Sequence, residues 1–314
     1  MNIVFAEPIG LTLFQKENFL QEMNRVGHTI HFYDNQPADQ IDLLSRTCNA
    51  DILVVSNYKV SAEVLKGSSN LKLIVVAFTG VDHIPIEECK DRGIAVCNAA
   101  GYSTQAVAEL TIALAIDLLR KIIPLDGILR QNGTRNGFLG NELCGKTFGL
   151  IGFGAIGEKV ALLAQAFGCN VIVWSRTVKQ VKGVDFVSLD LLLKEADIVS
   201  IHIPLTDQTK GLINDSNLRL MKPTALLINT ARGPIVDSSA LYSALKNRII
   251  AGAAVDVFEH EPPIENNHPL FAAPNTILLP HIGFATNEAI YDRSIIVTNN
   301  IKFWLDGKIE NRVC

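Results

Sequence analysis

Four apolar runs in the second half of this sequence each end in residues that can bind anions or move protons. "SIHIPLTDQT" places His202, Thr206 and Thr209 after one run, and "LLINTARGPIVD" places Thr230 and Arg232 after the next. "AAVDVFEHEPP" puts Asp256 and Glu261 after a third, and "LLPHIG" puts His281 after a fourth. An imidazole exchanges protons near neutral pH, and a planar guanidinium offers two parallel donors to a carboxylate. Taken singly, each residue has an ordinary explanation: an interior histidine, a surface arginine, an acidic loop. Their recurrence at run ends is what points to a site, because ligands of open parallel sheets bind outside the carboxyl ends of the strands.

Upstream lies "TFGLIGFGAIG", in which Gly152, Gly154 and Gly157 follow a strand and open a helix expected over Glu158–Phe167. The glycines allow a tight turn and close approach of backbone to a pyrophosphate, and the helix start supplies free N–H groups and positive potential. The loop Gly152, Phe153, Gly154, Ala155, Ile156 and Gly157 is therefore a candidate dinucleotide cradle. The next strand, "NVIVWSR", ends in Ser175 and Arg176, where an acid gripping the ribose hydroxyls of NAD is expected. Ser175 removes the repulsion that an acid would exert on a 2′-phosphate. Arg176, Thr177 and Lys179 can bond to one, each charge-assisted bond being worth about 1.5–3 kcal/mol. The expected cofactor is NADP(H), with NAD(H) possible.

These groups need a scaffold, and the chain provides two series of elements. "NIVF", "TIHFY", "ADILVVS", "LKLIVVAF" and "IAVCN" alternate with helical patterns such as Thr12–Val26 and Ser61–Lys66. After Asn98 comes a long helix, Ser103–Lys121, closed by Pro124, and then a second series: "TFGLIGF", "NVIVWS", "ADIVSIHIP", "ALLINT", "AGAAVDVF" and "TILLP". Alternation of this kind predicts α/β architecture with two doubly wound parallel sheets, all strands buried on both faces. The expected domains are residues 1–98 and 99–283, with a helical tail at Thr286–Leu305 that could pack back on the first.

The 314 residues are 48% hydrophobic and 19% charged, with a net charge of −4 and acids and bases interleaved, which argues against disorder and against nucleic-acid binding. The most apolar helical stretch, Ala106–Leu125, carries Glu109, Asp117, Arg120 and Lys121, so no membrane span is expected. The sequence enters at once as the strand "NIVFA", and its six cysteines show no disulfide or metal-ligand spacing; a cytoplasmic protein without metal is expected. Cys97, Cys169 and Trp304 read as packing residues.

Along nearly its whole length the chain resembles the D-isomer-specific 2-hydroxyacid dehydrogenases. The matching motifs are "NAAGYSTQAVAE", "LCGKTFGLIGFGAIG", "ADIVSIHIPLTDQTKGLI", "MKPTALLINTARGPIVD", "AGAAVDVFEHEPP" and "LLPHIGFAT". The resemblance implies a flavodoxin-like substrate domain, residues 1–98 plus 284–314, and a Rossmann nucleotide domain, 99–283, with an interdomain cleft and a homodimer built near the long helix. It implies catalytic roles for Arg232, Glu261 and His281: the arginine for the carboxylate and carbonyl oxygen, the histidine as proton donor, the glutamate orienting the ring and favouring imidazolium. It also implies that Asp256 meets the nicotinamide carboxamide, that His202, Pro204, Thr209, Thr230, Ala231 and Gly283 line the cofactor along with Arg232 and His281, and that Asn57 and the backbone of Phe78, Thr79 and Gly80 hold the substrate carboxylate with Arg232 and His281.

"NAAGYST" and "FTGVDHI" look most like the glycerate dehydrogenase and glyoxylate/hydroxypyruvate reductase branches, so a small unphosphorylated 2-keto acid is expected. The phosphoglycerate branch usually carries an arginine in the loop where this chain has "SNYKV", with Lys59 its nearest cation. D-Lactate and phosphite dehydrogenases keep similar motifs, whereas formate dehydrogenase pairs its histidine with glutamine where Glu261 stands. A non-catalytic nucleotide sensor, as among the family's corepressors, would also keep the triad; turnover separates it from an enzyme.

Overall fold

The computed structural model describes residues 1–261 and 263–314. Its strands are β1 (Asn2–Phe5), β2 (Thr29–Phe32), β3 (Ile52–Val55), β4 (Leu73–Val76), β5 (Ala95–Cys97), β6 (Thr147–Ile151), β7 (Asn170–Trp174), β8 (Val184–Phe186), β9 (Ile198–Ile201), β10 (Leu226–Asn229), β11 (Gly252–Val255) and β12 (Thr276–Leu278). The chain divides into two compact units, Met1–Ser103 with Ala285–Cys314, and Thr104–Phe284. The chain thus passes from one unit to the other immediately before the helix Thr104–Arg120.

The first unit is a parallel sheet in the order β2-β1-β3-β4-β5, the flavodoxin-like arrangement. Strands β3 and β4 are buried throughout, as continuous apolar runs require, but β2 lies at the sheet edge and alternates between exposed and half-buried residues. The strand order reverses between β1 and β3. There the buried carboxylate of Glu7 accepts from the N–H groups of Ser56 (2.7 Å) and Tyr58 (3.0 Å), fixing the loop that carries Asn57. The tail is a helix, Asn287–Leu305, capped by Thr286; Arg293 reaches the Ile9 carbonyl (2.7 Å) and Asn300 the Asn98 carbonyl (2.8 Å).

The second unit is a parallel sheet in the order β12-β11-β10-β9-β6-β7-β8. Neighbouring strand residues point to opposite faces and into different cores. Ile151, Val199, Leu227 and Ala253 join Leu192 and Leu241 on one side, while Leu150, Ile198, Ile228 and Ala254 join Ile112, Val160 and Ala164 on the other. Two-sided burial explains why these strands lack polar alternation. Pro124 follows the end of the long helix at Arg120, as expected, but it also lies inside a further helix, Ile122–Arg130, that was not expected. Lys121 takes a left-handed conformation (φ 56°), and the Asp117 carboxylate accepts from Ile123 N–H (3.1 Å), so the chain turns and restarts with proline in the first turn, where no N–H is needed. The helix expected from Glu158 begins three residues earlier, at Ala155, and the short edge strand β8 was not expected.

Replacing Glu7 by alanine leaves two N–H groups beneath the Asn57 loop without their acceptor. The expected loss is about 2–4 kcal/mol of unfolding free energy. An unchanged urea midpoint would show that the clamp carries no load.

Candidate active site

Backbone register brings the second unit's polar residues to one level. Trp174 pairs with Ile151, Ile151 with Ile201, Ile201 with Asn229, Asn229 with Val255, and Val255 with Leu278. Six strands therefore end on a single line, and the residues that follow them emerge at the same sheet edge.

The order reverses between β6 and β9, and the glycine loop sits at that point. Gly152 has φ +104°, and a Cβ there would lie 2.4 Å from the His202 carbonyl oxygen. A Cβ on Gly157 would lie 2.3 Å from the Gly152 carbonyl oxygen, so both positions exclude side chains for steric reasons. At Gly154, the N-cap of the helix Ala155–Ala166, a Cβ would meet nothing within 4 Å. The backbone is thus packed tightly below and open above, with the first N–H groups of a helix facing the opening; this fits a pyrophosphate. At the end of β7, Ser175 is half-buried while Arg176 and Thr177 are exposed, and Arg176 takes part in no ion pair among the described residues.

After β9, His202 shares a hydrogen bond of 2.9 Å between its Nε2 and the hydroxyl of Ser200, and burial pushes its pKa down to about 3, so the ring is neutral. Thr209 donates to the Pro204 carbonyl (2.8 Å) and accepts from Thr206 N–H (2.7 Å), closing its own loop. After β10, the Thr230 hydroxyl lies 3.4 Å from that of Thr111, turned toward the long helix. Thr209 and Thr230 thus have their side chains engaged within the protein.

Arg232 is positioned by a residue that sequence reasoning passed over. Asn229, the buried last residue of β10, accepts from Ala231 N–H (3.1 Å) and donates to the Arg232 carbonyl (2.9 Å). An amide at the end of an apolar strand was the available signal. Gly233 then lies against the next loop: a Cβ there would be 2.1 Å from the Phe258 carbonyl carbon. In that loop, Glu259 accepts from Ser238 Oγ (2.6 Å) and pairs with His268 Nε2 (3.0 Å). Burial works against the Glu259 carboxylate, but these bonds hold its pKa below the usual range.

The tightest constellation is Glu261, His281 and Asp256. Glu261 uses Oε1 to accept from Phe258 N–H and Oε2 to meet His281 Nδ1 at 2.5 Å. Asp256 is fully buried, and its two oxygens accept from Ile282 N–H and Gly283 N–H, each at 2.7 Å. Those bonds hold the turn in which His281 adopts φ 55°, a left-handed conformation that costs a non-glycine residue about 1–2 kcal/mol. Burial raises the Asp256 pKa; the two N–H donors and His281 oppose that shift and Glu261 reinforces it. Glu261 thus holds the ring of His281 at Nδ1. The sequence motif placed these residues near one another but not the backbone bonds that fix them.

In the first unit, Asn57 is exposed on the loop clamped by Glu7, and Gln36 approaches its side-chain oxygen at 3.4 Å. The Phe78–Gly80 segment is held by its own carbonyls: Phe78 accepts from Ala99 N–H (2.9 Å) and Thr79 from Asn98 Nδ2 (2.7 Å). Cys97 and Cys169 are buried, and burial raises both thiols to about 11. Among the described residues no group of three or more His, Cys, Asp or Glu is arranged to hold a metal, and no helix is long and apolar enough to cross a membrane.

Known proteins resemble this chain along most of its length. The model of the D-isomer specific 2-hydroxyacid dehydrogenase NAD-binding domain matches residues 112–283. A glyoxylate reductase of Thermococcus litoralis is 41% identical over 280 residues, covering 85% of this chain and 84% of that protein. A D-3-phosphoglycerate dehydrogenase of Methanocaldococcus jannaschii is 40% identical over 279 residues, covering 87% of this chain and 53% of the other. Among solved structures, an acyclic imino acid reductase, Bsp5, in complex with NADPH and D-Arg superposes with a TM-score of 0.91 at 32% identity, each chain covered fully. The chain belongs to the D-isomer-specific 2-hydroxyacid dehydrogenase family and is an NAD(P)-dependent oxidoreductase acting on the CH–OH group of donors.

Proposed function

We propose that the protein reduces a small unphosphorylated 2-keto acid, glyoxylate or hydroxypyruvate, to the D-2-hydroxy acid with NADPH. The observation that carries this reading is the His281–Glu261 pair, held by backbone on both sides and next in line to the Arg232 loop along the sheet edge. The nicotinamide supplies the hydride when bound. The residues Gly152–Gly157 would cradle its pyrophosphate, Ser175, Arg176 and Thr177 the adenosine ribose, and the loops holding His202, Pro204, Thr209, Thr230, Ala231 and Gly283 the remainder.

Arg232 presents the guanidinium for the substrate carboxylate and carbonyl oxygen, where a bidentate cation is better suited than a point charge. In the first unit Asn57 and the Phe78–Gly80 backbone offer further groups for the carboxylate. Reduction of the carbonyl would build negative charge on its oxygen, and His281 would donate the proton there. Glu261 at Nδ1 orients the ring. In this reading Asp256 acts on the carboxamide only with whatever capacity its two backbone bonds leave.

The unphosphorylated substrate is supported by the glyoxylate reductase relative and by Asn57 and Tyr58 in the first-unit loop, where Lys59 is the nearest cation. NADPH is supported by the absence of an acid at Ser175, by exposed Arg176 and by the NADPH in the Bsp5 complex. A homodimer is supported by the helix Ile122–Arg130, which buries none of its residues and leaves Ile122, Ile123 and Leu129 exposed, with Leu139 beyond it 86% exposed. The six free cysteines fit a reducing, cytoplasmic setting.

Initial rates with glyoxylate, hydroxypyruvate, pyruvate and 3-phosphohydroxypyruvate, each with NADPH and NADH, test the substrate and cofactor together. The highest kcat/KM is expected for glyoxylate or hydroxypyruvate with NADPH. A preference for the phosphorylated acid or for NADH would overturn the corresponding part, and nucleotide binding without turnover of any keto acid would favour a sensor. Light scattering on the purified protein should give a dimer mass, and the double variant Leu129→Glu/Leu139→Glu a monomer mass. A monomeric wild type would refute the dimer.

A further inference from the structure

At the ribose end of the nucleotide site the structure contains an ion pair that the glycine motif does not require. Glu158, in the first turn of the helix Ala155–Ala166, meets Lys179, from the loop after β7, at 3.0 Å between Oε2 and Nζ. Both side chains are about half exposed, at 53% and 44%. The Lys179 ammonium also lies 5.4 Å from the centre of the Phe153 ring, within the glycine loop, and that ring packs edge-on against Phe186 of β8 at 5.3 Å. The pair therefore joins the helix that follows the glycine loop to the loop after β7, the two segments that flank the expected adenosine ribose. An exposed pair of this kind contributes little to stability, so its main consequence is the charge it presents.

We propose that Glu158 is a specificity-determining residue that restrains preference for the 2′-phosphate by holding Lys179. The inference rests on the reading that the adenosine ribose lies at the end of β7. A carboxylate is favoured in the first turn of a helix by the dipole, but here it also places negative charge beside the site of a 2′-phosphate. Lys179 neutralises that charge and is tethered away from the phosphate in doing so. Arg176, with no ion pair among the described residues, is then the cation that discriminates between the two nucleotides. The pair sets how far discrimination goes: removing the carboxylate releases a second cation, and removing the ammonium uncovers an anion. Both effects weaken as salt screens them.

The test is calorimetric binding of adenosine 2′,5′-bisphosphate and 5′-AMP, which differ only in the 2′-phosphate, to the full chain. In Glu158→Gln the ratio of the two affinities should move three- to tenfold toward the bisphosphate, while 5′-AMP binding changes less than twofold. In Lys179→Met the ratio should move at least threefold the other way, and the double variant should lie nearer the wild type than Lys179→Met does. Raising salt from 0.05 to about 0.5 M should shrink each shift. Ratios in both single variants within twofold of the wild type, with 5′-AMP still bound, would overturn the inference alone. Failure of the wild type to bind either nucleotide would overturn the nucleotide-site reading and the inference with it.

Discussion

In-register parallel pairing of the second sheet is the constraint on which the site depends. Because Trp174, Ile151, Ile201, Asn229, Val255 and Leu278 are successive partners across six strands, each following loop starts at the same height. Slippage by one residue in any strand would turn its apolar face out of one core and into the other, so the burial of Leu150 and Ile151 on opposite sides also fixes the level of Gly152. Core packing and placement of functional groups are in this sense the same requirement.

From that line onward, precision comes from backbone hydrogen bonds to polar side chains. Asn229 ties down the Arg232 turn, Phe258 N–H holds Glu261, and Asp256 holds the turn after His281. Glu7 does the same in the first unit for the loop carrying Asn57. Asn229, Asp256 and Glu7 are polar groups at a strand end or just beyond it, buried and bonded to main chain, while Glu261 is more exposed and divides its two oxygens between main chain and the His281 ring. The strained backbone of His281 persists because Asp256 and Glu261 grip it from both sides, the usual condition for strain at a working site.

Much of this was legible in the residues. Apolar runs bounded by turns gave both sheets, because strands buried on both faces need no alternation, and the glycine spacing carried its own steric signature. Edge elements were harder to read. Thr29–Phe32 departs from the two-sided pattern, and Val184–Phe186 is too short to register. Pro124 marked the stop of the long helix at Arg120 but not the new helix whose first turn it occupies; Asp117, whose carboxylate accepts from Ile123 N–H six positions on, supports that restart. The family motif named Arg232, Glu261 and His281; Asn229 acts through local bonds to Ala231 and Arg232, announced only by an amide at the end of an apolar strand, whereas Glu7 acts on Ser56 and Tyr58 through contacts distant in sequence that no local spacing encodes.

The central claim is that His281, oriented by Glu261, delivers the proton in reduction of the keto acid. His202, after β9 at the same edge, is kept neutral by burial, which pushes its pKa down to about 3. The most direct test is the pH dependence of kcat/KM for glyoxylate reduction in the wild type and in His281→Gln. Because the proton donor must be charged, wild-type kcat/KM should fall tenfold per pH unit on the alkaline side of a single ionisation, while the variant shows a low rate with that limb abolished. Retention of the same limb in His281→Gln would contradict the assignment.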